Sequence, residues 1–153
     1  FGEVVMLSVP WTLIDDVLAQ AGALDGKIVI DTTNQFGREG WEDLGDQTAA
    51  QVNAARMAGA RYTKAFNTLT SGFQAAAAGR TGADRVVIFL CGDDEEAKRV
   101  VGGLIDDAGF TPVDMGGVTD AAPMEAPRRE GAVYGEEVHE QQARDFVARL
   151  RSS

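Results

Sequence analysis

The chain has 153 residues, and its 44% hydrophobic and 25% charged residues are typical of a single globular domain. Its 24 acidic and 14 basic side chains give a net charge of −10, which argues against a nucleic-acid or anionic-membrane partner because both require a basic surface. One cysteine, Cys91, excludes an internal disulfide and a metal site of several cysteines, and one histidine excludes a zinc site with paired histidines.

The first third of the chain predicts two strands with a helix between them. Residues 4–9 form a nearly continuous apolar run, which is typical of a strand buried on both faces. Apolar residues then recur at helical spacing over residues 13–21, and "KIVIDT" at residues 27–32 predicts the second strand. Residues 34–46 are rich in glycine and charge and predict a loop.

The middle of the chain continues this alternation. Residues 47–58 predict a helix with Gly59 at the expected C-cap position, and residues 60–66 predict the third strand. The most apolar stretch, "RVVIFLCG" at residues 85–92, predicts the fourth strand, and a helix follows it to about Ala108.

The last third predicts less regular structure. "FTPVDMG", at residues 110–116, predicts a short fifth strand. The strand order stays open at this point, as does an antiparallel direction for one of the late strands. Residues 116–135 are rich in glycine and proline and predict an irregular segment. Residues 138–150 predict an amphipathic helix with Phe146, Val147 and Leu150 facing inward.

Buried strands that alternate with helices predict a doubly wound α/β sheet. Polar residues follow three consecutive strands, at positions 8–10, 32–34 and 67–68. If these strands are parallel, the three clusters face one crevice at the carboxyl edge of the sheet, where such sheets bind ligands. Each cluster also has a simpler interpretation, because strand ends need turns and Asn67 tolerates left-handed turns.

Few side chains are suited to acid–base or nucleophilic catalysis. Cys91 is expected as a small apolar filler and His139 as a surface residue of the last helix. The acidic run "CGDDEE" is expected to cap a helix rather than to bind a metal, and "PRRE" at residues 127–130 is interpreted as a solvated turn rather than an anion site. Hydride transfer between two bound cofactors is compatible with this lack of candidate acids, bases and nucleophiles, because the protein then supplies positioning and excludes water.

Five blocks of the sequence occur together: "VVMLSVPW", "GKIVIDTTN", "KAFNT", "VVIFLCGDDEEAKRVV" and "GFTPVDMG". Their order and approximate spacing resemble the NADPH-dependent deazaflavin (coenzyme F420) reductase family. They are also similar to the cytosolic oxidoreductase domain of six-transmembrane ferric reductases. The resemblance extends from Val4 to about Gly117. It implies a Rossmann-type, mostly parallel sheet, NADP as cofactor, coenzyme F420 or a flavin as second substrate, and a homodimer.

The resemblance implies a cofactor site that needs no side-chain acid or base, so no catalytic residue is assigned. The implied cofactor-binding residues lie at the ends of three strands: Ser8, Val9, Pro10, Trp11, Thr33, Asn34, Ala65, Phe66 and Asn67. The first four are placed beside the ribose and nicotinamide, and the next two along the same cofactor. The last three are placed at the nicotinamide face on which the second cofactor stacks.

One family motif has no counterpart in this sequence, namely the G-x-G-x-x-G turn between the family's first strand and helix. The resemblance therefore places residues 1–117 as the second half of a Rossmann-type NADP-binding domain, lacking the first βαβ half and its pyrophosphate-binding helix end. Residues 118–153 are expected to form an irregular segment and a C-terminal helix that packs on this half or on a second subunit. The choice of NADP over NAD rests on the family alone, because the discriminating residues belong to the missing half.

Two other functions stay open. The first is a cofactor-free remnant that serves only as a dimerising or scaffold domain. The second is a dehydrogenase that acts on a small organic substrate and needs an acid near the crevice. Lys64 is its candidate acid, although we expect this side chain to reach solvent.

The sequence also bears on the compartment. No apolar run approaches the roughly 20 residues of a membrane span, and no signal peptide is recognisable. We therefore expect a cytoplasmic protein. The chain begins at Phe1 rather than at a methionine, so a segment upstream of it stays open.

Overall fold

The computed structural model describes residues 2–152 and places one mixed sheet between two layers of helices. The strands are β1 (Val4–Leu7), β2 (Ile28–Asp31), β3 (Phe36–Gly37), β4 (Gly40–Trp41), β5 (Arg61–Ala65), β6 (Val87–Cys91) and β7 (Thr111–Gly116). The helices are α1 (Ile14–Ala21), α2 (Ala49–Arg56), α3 (Ser71–Ala77), α4 (Glu95–Asp107) and α5 (Glu140–Leu150). The main sheet has the order β1-β2-β5-β6-β7, and β3 and β4 form a separate hairpin.

The strand directions divide the sheet into two parts. β1, β2 and β5 are parallel to one another, whereas β6 is antiparallel to β5 and parallel to β7. The carboxyl ends of the first three strands therefore meet at one edge. The predicted α/β sheet is confirmed, and the direction that the sequence left open is antiparallel for the last two strands.

Side chains of the central strands supply both faces of the sheet. In β6, Val87 and Phe89 belong to a core shared with α1, α2 and α5, while Ile88 and Leu90 belong to a core shared with α3 and α4. Fully burying one such side chain contributes roughly 1.5–3 kcal/mol of transfer free energy. Burial on both faces explains why this strand reads as a continuous apolar run.

Two expectations about local structure need correction. The loop expected over residues 34–46 contains the hairpin β3–β4, whose two-residue strands are too short to produce an alternating pattern. The inward orientation expected for Leu150 is wrong, since this residue is 42% exposed in the last turn of α5. Val147 is buried as predicted, together with Ala143, four residues away on the same helix face.

The helices are all short. Within residues 2–152, none of them has both the length and the apolar composition that crossing a bilayer requires.

Candidate functional site

A crevice of about 800 Å³ lies at the carboxyl ends of β1, β2 and β5. Ser8, Asn34 and Asn67 reach it from the three strand ends. A second hollow of about 320 Å³ shares Ser8 and Asn34 with the first and extends to Pro10 and Phe36. Polar groups from three parallel strands thus meet at one edge, as the sequence predicts.

Most of the residues predicted to bind the cofactor lie around these two hollows. The structure brings together Ser8, Val9, Pro10, Trp11, Thr33, Asn34, Phe66 and Asn67. Ala65 is fully buried in the core beneath α3 and α4. Trp11 and Thr33 line the second hollow but are only 4% and 5% exposed, so each offers little surface to a ligand. Contact of these residues with a cofactor stays a prediction.

The side-chain amide of Asn67 has a fixed orientation on the crevice floor. Its Nδ2 donates to the carbonyl oxygen of Met124 at 2.6 Å and to Oδ1 of Asn34 at 3.1 Å. The Nδ2 of Asn34 donates back to the Asn67 carbonyl oxygen at 2.9 Å. With both donors used, the Oδ1 of Asn67 is buried, and no donor among the described residues reaches it. A buried acceptor without a partner costs about 1–3 kcal/mol, so a ligand N–H at this point would be stabilising.

The backbone just before Asn67 is strained. Phe66 has φ = +62°, and within residues 2–152 it is the one non-glycine residue with positive φ. This left-handed conformation costs an L-residue about 1–2 kcal/mol. The Nε2 of Gln74 holds the turn by donating to the carbonyl oxygens of Phe66, at 3.0 Å, and Leu69, at 2.8 Å. Strain of this kind is enforced by its surroundings and clusters at ligand sites.

Two walls of the crevice were not predicted from the sequence. Phe73, in the first turn of α3, forms one wall, and Tyr134, Gly135 and Glu137 form the other. The backbone N–H of Gly135 donates to the Thr68 carbonyl oxygen at 2.8 Å, which ties the second wall to the end of β5. The polar residues before α3 signal a helix start, but no sequence signal pairs residue 68 with residue 135.

A buried charge cluster lies beneath the crevice. Lys64, Asp31 and Glu125 are 0%, 0% and 2% exposed. The Nζ of Lys64 lies 3.3 Å from Oδ2 of Asp31 and 4.0 Å from Oε1 of Glu125, and it donates to the Thr33 carbonyl oxygen at 2.7 Å. The expectation that Lys64 reaches solvent is wrong, because Asp31 lies opposite it in the β2–β5 register and holds the side chain inward. Fully buried in this way, Lys64 is not available at the crevice surface as a general acid.

The carboxylate of Asp31 is the most heavily hydrogen-bonded group of this cluster. Its Oδ2 accepts from the hydroxyl of Tyr62 at 2.6 Å and from Nδ2 of Asn53 at 2.7 Å, and its Oδ1 accepts from the Thr33 N–H at 2.8 Å. Burial alone would raise the pKa of Asp31, but the positive charge of Lys64 and these donors outweigh burial and lower that pKa. Burial, together with the Asp31 charge, raises the pKa of Tyr62 well above its usual value.

The carboxylate of Glu125 is held at the start of α2. It accepts hydrogen bonds from the backbone N–H groups of Ala49 and Ala50, each at 2.8 Å. These N–H groups have no partner within the helix and carry the positive end of the helix dipole, so they stabilise a buried carboxylate. Next to it, Nε2 of Gln35 donates to the Ala126 carbonyl oxygen at 2.6 Å. Residues 124–126 are thus pinned across the ends of the strands.

The groups that sequence analysis set aside do not contribute to the crevice. Cys91 is fully buried, and burial raises the pKa of its thiol to about 12, so it is not a nucleophile at neutral pH. Asp94 caps α4 by accepting from the Ala97 N–H at 2.9 Å. Arg128 pairs with Glu136 at the surface.

The sequence is similar to a known family and to curated proteins. The profile of the family "NADP oxidoreductase coenzyme F420-dependent" matches residues 1–35, which include β1, α1 and β2. Metalloreductase STEAP3 of Rattus norvegicus is 33% identical over 124 residues, a match that covers 81% of this chain and 24% of that protein. The chain therefore spans about a quarter of the length of this curated relative.

Crystal structures of other proteins share the fold. The hypothetical protein SMa0349 from Sinorhizobium meliloti superimposes with a TM-score of 0.81 at 30% identity, covering 91% of this chain and 67% of that one. A putative F420-dependent NADP-reductase from Arthrobacter sp. FB24 superimposes with a TM-score of 0.69 at 24% identity, covering 78% of this chain and 58% of that one. At 24% identity, the similarity to the Arthrobacter structure shows the fold alone.

Proposed function

We propose that the chain is a member of the family of coenzyme F420-dependent NADP oxidoreductases, whose profile matches residues 1–35, and that its crevice binds the nicotinamide end of NADP. The observation that carries the proposal is the Oδ1 of Asn67, a buried acceptor that no described donor reaches. A carboxamide group such as that of nicotinamide offers two N–H donors. One of them would satisfy this acceptor and fix the ring against the crevice floor.

The remaining surfaces of the crevice suit a flat ring. Met6 is 56% exposed at its edge, and Phe66 and Phe73 add apolar surface. The volume of about 800 Å³ falls within the range of about 300–1,000 Å³ for small-molecule sites. Apolar walls of this kind exclude water from a bound ring.

The chain's own residues would contribute binding and orientation. Bound nicotinamide supplies the hydride chemistry. Asn67 would hold the carboxamide, while Phe66 shapes the floor and Ser8 and Asn34 border the same space. Hydride transfer depends on the distance and alignment of the two reacting rings, so positioning alone accelerates it and no side-chain acid is needed.

We propose coenzyme F420 or a flavin as the hydride acceptor. The description of the matching family, which names coenzyme F420, supports this choice. We also propose that residues 1–117 act as the second half of a Rossmann-type domain. The described residues contain no G-x-G-x-x-G turn, so the pyrophosphate would be held by a glycine-rich half outside them.

The test is an NADPH titration of the purified protein followed by stopped-flow oxidation of NADPH with coenzyme F420, FMN and FAD. Asn67→Ala is expected to weaken NADPH binding by about 2- to 10-fold, the value of one neutral hydrogen bond, and to slow hydride transfer more strongly. Gln20→Ala, which removes an exposed amide on α1, serves as the matched control and is expected to change neither quantity.

Two results would contradict this function. Failure of the full-length protein, with its glycine-rich half, to oxidise NADPH with any of the three acceptors would remove the enzyme assignment. A dimer in light scattering that shows no NADPH binding would favour the dimerising or scaffold function instead.

A further inference from the structure

Lys64 holds one side of the crevice floor through Thr33. The carbonyl oxygen of Thr33 accepts from Nζ of Lys64 at 2.7 Å. Its N–H donates to Asp31 at 2.8 Å, and its Oγ1 accepts from Asn53 at 3.2 Å. Three polar groups of one residue are therefore fixed. The peptide bond that leads from Thr33 into Asn34 has little freedom to rotate.

Lys64 also approaches the other side of the floor. Its Nζ lies 4.0 Å from Oε1 of Glu125, whose carboxylate is hydrogen-bonded to the N–H groups of Ala49 and Ala50. The Glu125 carboxylate is hydrogen-bonded to α2 on one side and lies next to the Lys64 ammonium group on the other. These contacts limit the movement of the Glu125 backbone. The carbonyl group of Met124, the preceding residue, is consequently held in place as well.

Both supports converge on one amide. The two acceptors of Asn67 Nδ2 are the Oδ1 of Asn34 and the carbonyl oxygen of Met124. Each acceptor lies one residue along the chain from a group that Lys64 contacts. We propose that Lys64 is a positioning residue, which orients the Asn67 amide so that its Oδ1 stays free for a ligand donor. As far as the ligand is concerned, this inference rests on the proposed function.

Stability alone gives a poor account of a lysine at this place. Lys64, Asp31 and Glu125 bring one positive and two negative charges into the interior. Replacing a buried ion cluster by well-packed apolar side chains is often neutral or stabilising, because burying the ions is costly. The buried lysine is better explained by two oxygens that it contacts. These are the carbonyl oxygen of Thr33, at 2.7 Å, and Oε1 of Glu125, at 4.0 Å.

The experiment compares Lys64→Met with two further variants. Lys64→Met/Asp31→Asn removes one charge of each sign and serves as the variant to measure if the single change unfolds the protein, with Asp31→Asn as its reference. Thr63→Val is the matched control, because Thr63 is buried in the same strand and its hydroxyl donates only to the Val29 carbonyl oxygen, at 2.8 Å. The first readout is the ¹⁵N–¹H resonance pair of the Asn67 side-chain amide, assigned from its loss in Asn67→Ala.

We expect the Asn67 amide resonances to shift, and their exchange with solvent to accelerate, in the variants that lack Lys64 but not in Thr63→Val. NADPH affinity is expected to fall by about 2- to 10-fold in Lys64→Met, as for the loss of one neutral hydrogen bond. It is expected to fall no further when Lys64→Met is added to Asn67→Ala, since the two changes remove the same contact.

Unchanged Asn67 resonances in a folded variant without Lys64 would overturn the positioning role, as would fully additive losses of affinity. A wild-type protein that fails to bind NADPH would contradict the proposed function. The resonance comparison needs no ligand and would still decide the role of Lys64 in that case.

Discussion

Replacing Lys64 by methionine is expected to destabilise the fold considerably. Methionine has a similar length but no charge, so two carboxylates remain buried without their cation. Removing one partner of a buried ion pair typically costs about 3–5 kcal/mol. Asp31 keeps three hydrogen-bond donors and Glu125 keeps two, which places the expected loss near the lower end, at about 3 kcal/mol.

This loss is measurable by urea denaturation followed by circular dichroism. In a chain of this size each kcal/mol lowers Tm by about 2–4 °C, so Lys64→Met is expected to melt about 6–12 °C lower. Arg99→Met is the control, because Arg99 is 71% exposed and pairs with Glu96 only at the surface. Exposed ion pairs contribute little. A loss for Lys64→Met no larger than that for Arg99→Met would refute the reasoning that the cluster is a coupled buried network.

Three further predictions concern single residues. Phe66→Gly is expected to be more stable than Phe66→Ala by about 1 kcal/mol in urea denaturation, because only glycine adopts φ = +62° without strain; a more stable alanine variant would contradict this. The folded pKa of Asp31 is lowered, so its contribution to stability is complete above its usual value of 3.8 and disappears as pH falls through the folded value. In Asp31→Asn, the free energy of unfolding should therefore depend less on pH below about pH 4 than in the wild type, with no such difference between pH 5 and 7. Equal loss of stability in acid for both proteins would count against this prediction. Cys91, with its pKa near 12 and no exposure, is expected to react with a thiol reagent at pH 8 only at the rate of unfolding, and fast labelling of native protein would disprove its burial.

The parts of the crevice that were predictable from sequence are those that follow strands. An apolar run that stops at a polar residue marks a strand end, and parallel strand ends share an edge. Ser8, Asn34 and Asn67 were found in this way without knowledge of any contact. The direction of β6 was not predictable, because a strand buried on both faces reads as the same apolar run in either direction.

The supports of the crevice were not predictable for a different reason. Glu125 bonds to α2 across 76 positions, and no local pattern indicates such a pair. Lys64 lies in a strand of mixed polarity, where a long side chain is usually expected to reach solvent. Its burial depends on Asp31 in the neighbouring strand, which can be known only once the register of β2 and β5 is known.

The contacts that complete the crevice floor also bear on the order of folding. Asn67 reaches Met124 across 57 positions, and Gln35 reaches Ala126 across 91. Closing loops of this length costs more entropy than forming the local unit of β6, α4 and β7, so these bonds are expected to form late. Refolding protein should therefore regain its central sheet before it regains the ability to bind a ligand. If only residues 124–126 were displaced, the protein would keep its secondary structure as measured by circular dichroism. It would nevertheless lack the floor of its crevice.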